Sequence, residues 1–208
     1  MDWGVWIMFV LTDGALIVTP GPAVLFIVSQ GLRRGSAGAL WSAMGILTAN
    51  TLYFAASGTG VGALLAASGR LFTVTQWAGA AYLLYLGAVA LFRPPVPASR
   101  VTAGAAGPSG RRSSFLKGLL VQISNPKALL FFLAILPQFI DKARPIGMQI
   151  LILGVTSIVI EFVVLTAYGA AAARSARILM QPRFATATSR VSGALLVGAA
   201  LGLLRLGG

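Results

Sequence analysis

Cysteine and histidine are both absent from the 208 residues. Without cysteine there is no disulfide and no thiolate metal site. Without histidine there is no imidazole for catalysis or for relaying protons. Acid is scarce too: four Asp and Glu stand against sixteen Lys and Arg, a formal net charge of +12. Four carboxylates with no histidine make a poor metal site, so no metal and no cofactor is expected. Charged residues make up only 10% of the chain, too few to clothe a soluble protein of this length.

What is present is hydrocarbon. Fully 57% of the residues are hydrophobic and the mean hydropathy is +0.88. Long apolar runs read as membrane spans. The chain therefore reads as an all-α integral membrane protein, one transmembrane domain over residues 1–208. The net positive charge does not point to nucleic acid, because the basic residues cluster between the apolar runs. A cleavable signal peptide is not expected. The first run begins at Trp3 without a basic start and is longer than a typical signal core.

Six runs fit six spans, at roughly 4–30, 39–65, 71–92, 116–139, 146–170 and 191–206. The connection over 93–115 is rich in Pro, Gly, Ala and Ser and reads as a flexible cytoplasmic loop. It divides the chain into a three-span half, 1–92, and a second, 116–208. Loop one carries Arg33 and Arg34. Loop three carries Arg93, Arg100, Arg111, Arg112 and Lys117, and loop five Arg174, Arg177, Arg183 and Arg190. Loops two and four hold only Arg70, Lys142 and Arg144. The positive-inside rule places the odd loops in the cytoplasm and both termini outside.

Two helix breakers interrupt the spans. Pro20-Gly21-Pro22 lies in the first run and Asn125-Pro126-Lys127 in the fourth. A break inside a bilayer frees backbone groups that protein, water or ligand must satisfy. The segment from Pro20 to Phe26 resembles the one from Asn125 to Phe131, and each opens a three-span half. Three is odd, so the halves have opposite orientation. That is an inverted 3+3 repeat with broken helices one and four.

Depth brings the polar residues together. Pro22, Asn125 and Glu161 each lie about nine residues from the cytoplasmic end of their runs, or roughly 14 Å into a ~30 Å core. The half-helices after the two breaks would both start there and offer free N–H groups. Thr19 could cap the first, and Ser124 or Asn125 the second. With the charge of Lys127 this makes a carboxylate site, and Gly21 allows close approach. Glu161 can hold an ammonium, pair with Lys127 or carry a proton. A zwitterionic amino acid satisfies both poles. Asp13, in the outer half of run one, is a second proton-coupling candidate. Asn50, Gln122 and Tyr168 are candidates for the pathway, with Gln76, Tyr53, Tyr82 and Tyr85 as weaker ones. Kinked packing for Pro-Gly-Pro, snorkelling for Lys127 and a structural ion pair for Glu161 are the plainer alternatives. Small residues at four-residue spacing, such as Gly45/Ala49 and Gly198/Gly202, suit close helix packing, the last pair within the bundle or in a homodimer.

The chain resembles the LysE/RhtB superfamily of bacterial amino-acid exporters over essentially its whole length. The resemblance rests on Thr19-Pro20-Gly21-Pro22 with Ala23 to Phe26, the turn Arg33-Arg34-Gly35, and Ala78 to Leu83. Its most specific parts are Asn125-Pro126-Lys127 with Phe131-Phe132, Pro137-Gln138-Phe139, and Glu161 with Tyr168. It implies six spans in the bacterial inner membrane and export of an amino acid or close derivative, driven by the proton motive force. Family substrates include lysine and arginine, homoserine and threonine, leucine, and cysteine-pathway compounds. It also implies substrate-binding roles for Pro20, Gly21, Pro22, Asn125, Pro126, Lys127 and Glu161. Ala23 stands where many members have a polar or acidic residue, Ala49 where many have glycine, and Asp13 is not typical. These departures bear on the substrate rather than the fold. Membrane lipid, protons and the solute are the expected partners. A channel or carrier for another small solute or ion is the alternative. An enzyme would need a nucleophile or metal cluster, and neither is found.

Overall fold

A computed structural model describes residues 1–67, 69–92, 110–141, 143–174 and 182–206. Among these every regular element is helical. Helix α1 is Trp3–Val18, α2 Pro22–Ala67, α3 Gly69–Phe92, α4 Arg111–Ile123 and α5 Pro126–Leu130. A π turn, Phe131–Ile135, and a 3-10 turn, Leu136–Phe139, continue α5. Helix α6 is Ile146–Arg174 and α7 Pro182–Leu206. Most of the loop expected over 93–115 lies outside the described residues.

The first and second runs are closer than two spans with a loop. They form α2 together, with Gly35 the single non-helical residue (φ 69°, ψ −172°). That conformation belongs to glycine. The chain reverses there. A Cβ on Gly31 would meet the Gly169 carbonyl, and one on Gly169 would meet Ala39, so residues on either side of Gly35 pack on one spot of α6.

Both breakers break their helices. Helix α1 meets α2 at a bend of 51°, and α4 meets the segment from Pro126 at a bend of 51°. Pro22 and Pro126 each open a helix, where a missing N–H costs no bond. Among the described residues α6 alone is long and apolar enough to cross a membrane, and each bent pair counts as a further span. Trp77–Phe92 and Ser189–Gly202 are shorter apolar stretches.

Helix α6 shows how lipid and core divide the surface. Gln149, Leu153, Ser157, Glu161, Leu165 and Gly169 are buried, one every four residues. Leu151, Val155, Val159 and Val163 are exposed. The helix is polar within and apolar without, as a bilayer demands. Helix α2 packs on α4 and α6, α3 on α7 and the π turn, and α1 on α6 and α7. Glycine sets the closest approach. Cβ atoms on Gly45 and Gly118 would fall 2.0 Å from the Phe115 carbonyl and 2.1 Å from that of Ser42. Gly202 lies against Met8, whereas Gly198 faces open space, so that pair does not act as one packing motif. Gln149 closes the turn before α6, bonding the Asp141 N–H and carbonyl at 2.8 and 2.9 Å.

Candidate functional site

A helix break creates a carbonyl end as well as an amide end. At the first break the Thr19 N–H and hydroxyl both return to the Ala15 carbonyl, at 3.1 and 2.6 Å. Thr19 thus closes α1 instead of capping α2. Three further carbonyls at this end find partners from other helices. The Lys127 ammonium donates to those of Leu16 and of Thr19, the latter at 3.2 Å. The Tyr168 hydroxyl donates to that of Val18 at 3.2 Å.

Lys127 therefore serves the negative end of α1 while standing in the first turn of α5. The expectation of a lysine free to complete a carboxylate site is corrected in that respect. An ammonium with three donors is a strong partner for buried carbonyls, and the helix dipole favours it there.

The second break has the matching arrangement. Asn125 caps α5, its Oδ1 accepting the Lys127 N–H at 3.1 Å. The Tyr53 hydroxyl donates to the Ile123 carbonyl at 2.9 Å. Val18 and Ile123 are the last residues of the two interrupted helices, and each gives its carbonyl to a tyrosine of a neighbouring helix. Sequence alone treated both tyrosines as pathway donors; their hydroxyls are bonded to the breaks.

One cavity lies between the breaks. Its floor and walls include Thr19, Gly21, Asn125, Lys127, Glu161 and Asp13, with Asn50 and Gln122 beside them. Pro20, Pro22, Pro126 and Tyr168 do not line it. The N–H groups of Ala23, Val24 and Ala128 precede the first helical bonds of α2 and α5, from Leu25 and Leu129, and all three residues line the cavity. A Cβ on Gly21 would meet nothing nearer than 3.6 Å, the Lys127 side chain. This glycine leaves space beside Lys127; the backbone does not demand it.

Glu161 does not pair with Lys127. Among the described residues the one ion pair is Arg144 with Asp141, at 3.1 Å. The partner of Glu161 is the Asn50 side-chain amide, which donates to Oε2. Asp13 reaches deeper than expected of a residue in the outer half: it is 3% exposed and lines the same cavity. The Ser157 hydroxyl donates to it, and its Oδ2 has no partner. Ser157 was missed in the sequence. It stands one turn before Glu161, so the two share a face of α6. Phe131 and Phe132 were noted only as part of a pattern. They stack edge to face at 5.1 Å and close the cavity on one side. The Gln76 side chain lies outside the described residues. Among those described, no group of three acidic side chains could hold a metal.

Residues 15–207 match the model of the LysE type translocators. The chain belongs to the LysE family. It is 34% identical over 206 residues, 98% of both chains, to a homoserine/homoserine lactone efflux protein of Salmonella typhimurium. It is 30% identical over 164 residues, 77% of this chain and 76% of the other, to a leucine efflux protein of the same organism. A membrane protein of Vibrio cholerae is 32% identical over 95% of each chain. No solved structure matches. As a LysE translocator the chain is a multi-pass inner-membrane transporter and not an enzyme. At the level of the family, the activity is amino-acid export.

Proposed function

We propose that this LysE translocator exports a small neutral amino acid, or a close derivative, in exchange for protons. It does so by alternating access between two inverted three-span halves, 1–92 and 116–208. The observation that carries the reading is the meeting of both helix breaks, one ammonium and two carboxyls in one cavity. The substrate carboxylate binds the free N–H groups at the starts of α2 and α5 and the remaining donor of Lys127. Thr19, Gly21 and Asn125 shape that pole, with Pro20, Pro22 and Pro126 holding the breaks. The ammonium lies toward Glu161 and Asp13, one of which takes the proton.

Packing supports the repeat. The pairing of α2 with α4 has its counterpart in that of α2 with α6, and α1 on α7 has its counterpart in α3 on the π turn. The equal bends and the two tyrosine-served carbonyls follow the same relation. In this arrangement both termini lie outside and the basic loops inside.

Size supports a small solute. The space open to a water-sized sphere is about 60 Å³, room for roughly four to six waters at about 10–15 Å³ each. The relatives named for efflux of homoserine, its lactone and leucine point to the same class.

Counterflow in proteoliposomes tests this. Vesicles preloaded with one unlabelled amino acid at a time are placed in labelled substrate under an imposed pH gradient. Wild type should show stereoselective, gradient-driven exchange that Lys127→Ala and Glu161→Gln lose. Absence of exchange with every amino acid, in demonstrably folded protein, would reject the substrate class. Exchange indifferent to the gradient would reject proton coupling.

A further inference from the structure

Four hydrogen bonds run in one direction through the site. The Lys127 backbone N–H donates to Asn125 Oδ1 at 3.1 Å, and Asn125 Nδ2 donates to Gln122 Oε1 at 3.0 Å. Gln122 Nε2 donates to Asn50 Oδ1 at 2.8 Å, and Asn50 Nδ2 donates to Glu161 Oε2. Asn125, Gln122 and Asn50 are all buried. The row crosses from α5 through α4 and α2 to α6.

Its two ends force its direction. A backbone N–H only donates, and an ionised carboxylate only accepts. Each amide has one oxygen and one NH₂. Once Asn125 gives its oxygen to Lys127, it must offer NH₂ to Gln122, and the same holds at each later step. Turning one amide alone would set donor against donor or acceptor against acceptor. In a buried site either mismatch is costly.

We infer that Asn125, Gln122 and Asn50 form a polarised amide relay that ties the helix break at Asn125 to the protonation of Glu161. The inference rests on the proposed role of Glu161 as a proton-carrying group. In this view the three are positioning residues and not substrate ligands. A proton on Oε2 places a donor against Asn50 Nδ2. Turning Asn50 to accept it turns Gln122 in sequence, then Asn125, which must release its cap on α5. The proton and the break are then two ends of one event. The other charged groups facing Glu161 across the cavity are Lys127 from α5 and Asp13 from α1. Helices α4 and α2 face it with the neutral amides Gln122 and Asn50. Neither the Lys127 ammonium nor the Asp13 carboxylate bonds to the relay.

Replacing one amide by its acid tests the relay, because the shape is kept and only acceptors remain. Asparagine and aspartate cap helices equally well, so Asn125→Asp keeps α5. It forces Gln122 and Asn50 to turn, so that Asn50 presents oxygen to Glu161 and favours a proton there. Gln122→Glu does the same through Asn50 alone. Both should move the pH profile of gradient-driven exchange to more alkaline pH, by about one to two units. Through-space repulsion from the new acid is separated by a double-mutant cycle. With the relay cut by Asn50→Leu, Asn125→Asp should no longer shift the profile. A shift that survives in that background, or an unshifted profile in both single variants, overturns the relay. Glu161→Gln distinguishes the two levels. If it leaves the wild-type profile intact, the proton role of Glu161 fails. If it flattens the profile while the relay variants shift nothing, only the relay fails.

Discussion

Gly45→Ala is the sharpest test of how packing holds this site. The added methyl would fall 2.0 Å from the Phe115 carbonyl oxygen and 2.8 Å from the Leu119 nitrogen. Both are backbone atoms, so no side chain can swing aside. Cβ contacts shorter than 3.0 Å essentially never occur, which requires α2 and α4 to part by about 1 Å at this crossing. Asn50 and Gln122 lie further along the same two helices, joined at 2.8 Å. A rigid separation of that size stretches their bond beyond hydrogen-bonding reach. The expected cost is about 1–3 kcal/mol for overpacking. Scaled to a chain of this length, it is a fall in Tm of about 2–12 °C. Alanine also gains helix propensity over glycine, about 0.5–1 kcal/mol. Gly198→Ala, where a Cβ meets nothing within 4 Å, reports that gain alone. Thermal melts of both variants in one detergent make the comparison, with exchange measured beside them. Gly45→Ala melting like Gly198→Ala, with full exchange, would refute the close α2–α4 crossing.

Other variants address single features. Gly35→Ala forces a side chain into a conformation that only glycine adopts readily and should cost about 1–3 kcal/mol; an unchanged Tm would show the turn is built otherwise. Tyr53→Phe and Tyr168→Phe each strip a partner from one break carbonyl and should each cost about 1 kcal/mol. A large loss in one with silence in the other would argue against their equivalence. Gly21→Ala should fold and melt as wild type, since its Cβ finds ordinary contacts, yet raise the KM for exchange by occupying space 3.7 Å from Lys127 Nζ. Unaltered KM would remove Gly21 from the binding pole.

Local chemistry was readable in the sequence, and long-range partnership was not. Proline states its effect on its own helix, so both breaks and the helices opening at Pro22 and Pro126 were legible from residue type alone. Depth counting brought Asn125 and Glu161 near one level because the rise of a helix is fixed. Which groups bond is decided between helices and leaves no trace in spacing. Lys127 meets Leu16 and Thr19, more than a hundred positions earlier, and Glu161 meets Asn50 across a similar gap. Asp13 looked peripheral because depth along a run says nothing about which way a side chain faces. Ser157 was within reach: a lone hydroxyl one turn before a buried acid shares its face. Gly45 stood out only as one of many small residues, since the atoms that need it belong to α4.

The turn at Gly35 bears on how the protein is made. Arms joined through a single residue emerge from the ribosome nearly back to back, with no tether long enough to let one enter the bilayer and leave the other waiting. They must insert as one hairpin, with Arg33 and Arg34 at its tip. Because the tip carries the charge, the orientation of all that follows is settled while most of the chain is still untranslated. Lengthening that tip should then disturb biogenesis before it disturbs transport.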